Sequence, residues 1–206
     1  MSLVFLNDRA VRSATAFGSL NTGSMVFIKK LTASSSSTLT FHNGTSDVVL
    51  DSTYKEYLFT FNNMHPATDN AELTVGFRDG STDYDATKTT TFFWAYHDEG
   101  DSETTRAYVT SRDLDQATGF TDLSGSIGNG NDESCSGELY LFNPSSTTFL
   151  KSFQSRASLY EGGSYVMDVY TGGYCNVTAA IDGVQFKMSS GNIDAGTIKM
   201  YGLKDS

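Results

Sequence analysis

In Tyr57-Leu58-Phe59-Thr60-Phe61 the aromatic side chains fall on every second residue, and in Glu72-Leu73-Thr74-Val75-Gly76-Phe77 the apolar ones do the same. A period of two puts Tyr57, Phe59 and Phe61 on one face of a strand, and Leu73, Val75 and Phe77 on one face of another. Each such strand has a dry face and a wet one, and antiparallel sheets stacked face to face bury the dry faces together. The pattern holds from Met25 onward. Short segments rich in Val, Ile, Thr, Phe and Tyr alternate with clusters of Gly, Ser, Asn and Asp, and helical periodicity is nearly absent. Candidate strands are Met25–Leu31, Ser37–His42, Tyr57–Phe61, Glu72–Phe77, Thr89–His97, Arg106–Thr110, Gly137–Asn143, Thr147–Ser155, Ser164–Tyr170, Cys175–Ala179, Gly183–Met188 and Gly196–Leu203. The expected fold is an all-β, jelly-roll-like antiparallel β-sandwich over residues 25–206, preceded by an extended N-terminal arm over residues 1–24.

That arm breaks the pattern. Leu3, Val4, Phe5 and Leu6, then Ala10, Val11, Ala14 and Phe17, keep neither a clean period of two nor a full helical one, and Gly18, Asn21, Gly23 and Ser24 loosen its connection to Met25. Its apolar residues need a surface, either the chain's own core or a neighbouring subunit. Leu3, Val4, Phe5, Leu6, Val11 and Phe17 are the residues expected to dock into other subunits.

Charge narrows the partners. Fourteen Lys and Arg against 24 Asp and Glu give a formal net charge of -10, which repels nucleic-acid phosphates and anionic membrane surfaces. No apolar run approaches the roughly 20 residues of a membrane-spanning helix. Met1–Leu6 leads straight into Asn7, Asp8 and Arg9 with neither a basic start nor a cleavage site, so a chain without a Sec-type signal is expected. Two cysteines, Cys135 and Cys175, make no disulfide framework. Either a single bridge or two unpaired thiols fits, and free thiols carry more weight.

The most abrupt change of character is Phe92-Phe93-Trp94-Ala95-Tyr96-His97-Asp98-Glu99-Gly100-Asp101-Ser102-Glu103. Alternation sends Phe92, Trp94 and Tyr96 one way and Phe93, Ala95 and His97 the other, as in a central strand covered on both faces. The carboxylates beyond it read chiefly as a solvated bend, although Asp98, Glu99, Asp101 and Glu103 with His97 could hold a cation or form an acid/base pair. A second acidic loop, Asp79 to Asp85, reads as a hairpin turn between Phe77 and Thr89. If it takes Ca2+, the ligands are Asp79, Asp83 and Asp85, without the spacing of an EF-hand. The glycine-rich Ser124–Asn131 has neither a G-x-S-x-G elbow nor a G-K-[ST] ending, so no cofactor and no enzymatic activity are expected. Tyr160, Tyr165, Tyr170 and Tyr174, set among glycines and serines, suit stacking on a sugar or a protein contact, and alternation places Tyr165 and Tyr170 on opposite faces if they share a strand.

Several stretches together resemble a virion-associated protein family of marine tailed bacteriophages: Asp51–Phe61, His65–Gly80, Thr90–Glu99, Asp132–Phe149 and, most distinctively, Ile181–Gly202. The resemblance implies a β-sandwich component of the phage particle, made in the bacterial host cytoplasm, with no enzymatic motif to carry over. The leading expectation is a non-enzymatic structural protein on the particle exterior, of head-decoration or cement type. It would be homo-oligomeric, would contact major capsid or tail proteins, and would neither bind nucleic acid nor insert in a membrane. One alternative is a tail-fibre or tail-tip receptor-binding module that reads host-surface glycan through Tyr160–Tyr174, or through Trp94. A second is a carboxylate glycosidase, which needs two acids about 5–10 Å apart in a cleft.

Overall fold

A computed structural model describes residues 23–205, so the docking residues Leu3, Val4, Phe5, Leu6, Val11 and Phe17 lie outside the described residues. The described residues contain no helix. Their strands, in chain order, are β1 (Met25–Ser36), β2 (Leu39–His42), β3 (Glu56–Pro66), β4 (Leu73–Arg78), β5 (Lys88–Asp98), β6 (Thr104–Tyr108), β7 (Thr121–Asp122), β8 (Cys135–Phe142), β9 (Lys151–Glu161), β10 (Tyr165–Cys175), β11 (Gly183–Met188) and β12 (Ile193–Leu203). They form two antiparallel sheets packed as a β-sandwich. The larger runs β1-β12-β3-β8-β9-β10-β5-β6, the smaller β2-β11-β4-β7. Eight strands, β1 to β4, β7, β8, β11 and β12, divide four and four between the two sheets, and each step along them switches sheet except that from β4 to β7, which are neighbours in the smaller one. The hairpins β5–β6 and β9–β10 are insertions that widen the larger sheet beyond β8.

Alternation builds the core as the sequence suggests. Tyr57, Phe59 and Phe61 point from β3 toward the smaller sheet and are fully buried. Phe59 meets Phe41 of β2 and Phe186 of β11, with ring centroids 5.4 and 5.7 Å away, so one aromatic cluster joins the sheets. Phe77 of β4 and Phe153 of β9 make a second bridge at 4.8 Å. Aromatic side chains bury the most apolar surface per residue, and their edge-on contacts add to that burial.

Several expectations need correction. Strand β5 is not a central strand covered on both sides. It lies next to the edge strand β6, and Phe93 on its outer face is 39% exposed. Its apolar outer residues therefore form surface, not core. The segment after Phe77 is not a hairpin, because β4 belongs to the smaller sheet and β5 to the larger; the acidic loop crosses between sheets. Cys175 closes β10 and does not open a new strand, since the pairing of β10 with β9 and β5 runs unbroken from Tyr165 to Cys175. The two-residue β7 is too short to leave a period in the sequence. Strands β8 and β9 pair as a hairpin, and Phe149 is 68% exposed in the loop that joins them.

Both cysteines are free and buried. Cys175 lies directly opposite Lys88 on β5 and Lys151 on β9, and both lysines are buried beside it. A buried ammonium needs partners. The Nζ of Lys88 donates to the carbonyl of Ala86 at 2.7 Å, and that of Lys151 to the carbonyls of Val177, at 2.8 Å, and Ala179. Burial lowers both lysine pKa values, and the bonds to these carbonyls tie the loops at this end of the sandwich to the large sheet.

Candidate functional site

The two outer faces of the sandwich differ. On the smaller sheet, loops press onto β4 at Gly76, where a Cβ would stand 2.7 Å from both the Phe120 ring and the Tyr84 carbonyl oxygen. The Nζ of Lys187 lies 4.2 Å from the Phe120 ring centroid on the same side. The outer face of the larger sheet is open, and it carries Phe93, Tyr108 and Val166 at 39%, 52% and 53% exposure. Directly opposed residues in antiparallel strands share a face, so the register lays out this surface row by row.

One row runs Tyr140, Gln154, Gly172, Thr91 across β8, β9, β10 and β5. The next runs Glu138, Arg156, Tyr170, Phe93 and Tyr108. Apart from Tyr108, these residues line a shallow depression of about 340 Å3, with Tyr140 at one side, the Phe93 and Tyr170 rings at the other, and Gly172 in the floor. An adjoining depression of about 500 Å3 shares Glu138 and Arg156 and extends along Thr60, Asn62, Ser158 and Asp168.

The charged groups here are held by one another. The guanidinium of Arg156 donates to both oxygens of Asp168, from Nε at 3.0 Å and Nη2 at 2.8 Å, and stands 5.2 Å from the Tyr170 ring centroid. The Tyr170 hydroxyl donates to Asp168 at 3.0 Å. Burial, with the charges of Glu138 and Glu56, pushes the Tyr140 phenol above its ordinary pKa, so it keeps its proton as a donor. The face therefore combines flat aromatic rings with preset donors and acceptors, which is what a polyhydroxylated ring with apolar C–H faces requires.

Beneath this face, inside the sandwich, Arg112 bonds Glu72 at 2.8 Å and Asp122 at 3.0 Å, with its guanidinium 5.8 and 5.6 Å from the Phe92 and Trp94 rings. The two acids respond differently. Burial acts to raise Glu72, but donors from Ser189, Arg112 and Ser126 outweigh it and leave Glu72 below the usual range. Burial dominates at Asp122 and pushes it up to about 6, with Arg112 opposing. This network clamps the segment after β6 onto β5 and β4.

Three of the four tyrosines singled out by sequence lie on the open face. Tyr170 is in its centre, and Tyr160 and Tyr174 lie on the same side of β9 and β10 toward either end. Tyr165 is on the opposite side, as alternation requires, with its ring 5.3 Å from that of Tyr96. The acidic bend is a turn organised by one side chain: Asp98 accepts from the amides of Ser102 and Glu103 at 2.8 and 2.7 Å and from the Ser102 hydroxyl at 2.5 Å. The Ser102 hydroxyl and the Glu103 amide hold Asp98 down to about 2. In the loop of Asp79, Asp83 and Asp85, Ser81 bonds the Asp83 carbonyl and the Asp85 carboxylate. Among the described residues, no group of three or more His, Cys, Asp or Glu side chains is placed to hold a metal ion.

Sequence reasoning missed Glu138, Tyr140, Gln154 and Arg156. The signal was present in Lys151–Tyr160, where Ser152, Gln154, Arg156, Ser158 and Tyr160 alternate with buried partners and so belong to one exposed face. Comparison with protein-family models, with curated proteins and with solved structures finds no match to this chain.

Proposed function

We propose that this protein is a non-enzymatic glycan-binding module in which the open face of the larger sheet takes a saccharide. The observation that carries the proposal is the depression at Gly172. It is floored by Gln154, Gly172 and Thr91 and flanked by Tyr140 and the Phe93–Tyr170 stack. Aromatic rings there meet the apolar faces of sugar rings, while Gln154, Glu138 and Thr91 meet hydroxyls. Glu138 and Asp168 border the site on either side of Arg156, whose guanidinium engages both Asp168 oxygens, an arrangement suited to binding rather than proton transfer.

The strand order, β1-β12-β3-β8 facing β2-β11-β4-β7, supports the finer reading of the fold as a jelly roll with two inserted hairpins, an architecture found in lectin and viral capsid domains. That kinship is an analogy of fold. With the resemblance to phage virion proteins, it favours the receptor-binding module at the tail over head decoration, which draws on the arm residues outside the described range. An oligosaccharide array probed with the wild-type protein tests the proposal. Binding to a defined glycan class, lost with Tyr140→Ala and Gln154→Ala, supports it; a blank array, or hits unchanged by both variants, overturns it.

A further inference from the structure

We infer a second binding site on the opposite side of β5 and β10, an aromatic cage with an acidic rim that takes a quaternary or fully methylated ammonium group. It lies where the core-side face of the inserted hairpins reaches past the smaller sheet, in a cleft of about 280 Å3 lined by Trp94, Tyr96, Glu161, Tyr165 and Met167. The register explains its construction. Tyr96 is opposite Met167, and Tyr165 is opposite both Asp98 and Glu161, so rings and carboxylates project from the same face of the sheet.

The ring geometry is that of walls rather than a stack. Tyr96 and Tyr165 stand 85° apart with centroids at 5.3 Å, and both remain partly exposed, as does Trp94. Arg112 is close to the Trp94 ring but does not line the cleft, so the cavity itself presents aromatic surface. The electron-rich faces of Trp and Tyr attract a cation whose methyl groups hold water weakly and shed it at little cost. The carboxylates supply the rest. Glu161 lines the cleft, Asp98 flanks Tyr165, and the Tyr165 hydroxyl donates to Glu103 at 3.4 Å. Glu99 and Asp101 lie in the same bend, so the acidic stretch adjoining these rings gives the cleft a field that selects a cation and disfavours a neutral isostere.

Trp94 is the sole tryptophan of the chain, so its fluorescence reports on this cleft directly. Titration with choline should change Trp94 emission saturably. 3,3-Dimethyl-1-butanol, the uncharged isostere, should bind at least about tenfold more weakly. Glu161→Gln and Tyr165→Leu, each checked for an unchanged unfolding midpoint, should weaken choline several-fold, whereas Tyr140→Ala on the outer face should not. Trimethyllysine run in parallel separates a free small amine from a protein side chain as the source, the tighter of the two naming it. No saturable response to either cation, an equal response to the neutral isostere, or full binding by both cleft variants overturns the inference. The outer-face control keeps failure here distinct from failure of the glycan site.

Discussion

Tyr170 stacks on Phe93 with ring centroids 4.9 Å apart and planes within 5° of parallel, and the Arg156 guanidinium stands 5.2 Å from the Tyr170 centroid. With its hydroxyl on Asp168, the Tyr170 ring is fixed from several directions before any ligand arrives. Fixed rings lose little entropy on binding, which favours affinity at a shallow site. Phe93 is the exposed member of the pair and has the surface to offer a sugar.

Phe93→Ala should therefore separate binding from folding. Loss of one exposed stacking ring costs about 0.5–1.5 kcal/mol of stability. Glycan affinity should fall by about tenfold or more if the ring contacts the ligand. Calorimetric titration alongside thermal unfolding measures both.

The sandwich itself depends on the cluster that joins its sheets. Phe59→Ala removes a fully buried ring that touches both Phe41 and Phe186, and should destabilise the protein by about 3–5 kcal/mol in denaturant unfolding. Phe149→Ala, at a position 68% exposed, should stay within about 0.5 kcal/mol of wild type.

Asp122 gives a pH signature. Its folded pKa is raised from 3.8 to about 6 by burial, so the folded state favours the protonated acid. That contribution is present below the unfolded pKa and is lost as pH rises through about 6. The Asp122→Asn variant cannot lose it. Denaturation midpoints measured from pH 4 to pH 7 should show wild type falling relative to Asp122→Asn as pH rises, and a constant difference would contradict the assignment.

The two thiols should be silent until the fold opens. Burial pushes Cys175 up to about 12 and Cys135 higher still, and both are free. A disulfide-exchange reagent at pH 8 should leave native protein unlabelled and should titrate two thiols in denaturant.

The segments that alternated strongly were legible. Tyr57–Phe61 and Gly183–Met188 carry their burial in their sequence, because one face of each meets the other sheet. Phe92–His97 misled because both faces are apolar, and composition alone does not distinguish a covered face from an aromatic surface open to ligand. The site was half visible for the same reason. Tyr160, Tyr170 and Tyr174 drew notice as aromatics, but Gln154, Arg156 and Tyr140 are brought beside them by pairing across β8, β9, β10 and β5, a register set by turns and core packing rather than by local spacing. The burial of Lys88 and Lys151 depends on carbonyls supplied by the adjoining loops, which local spacing does not reveal.

The most direct test uses the missing side chain at the centre of the face. A Cβ at Gly172 would meet its nearest neighbour, the Thr91 hydroxyl, at 3.6 Å, an ordinary contact, so valine fits the strand but fills the floor of the depression. In calorimetric titration of Gly172→Val with the glycan selected on the array, affinity should drop by more than about tenfold while the unfolding midpoint stays near that of wild type. Undiminished binding by a folded Gly172→Val protein would contradict the assignment of this face as the glycan site.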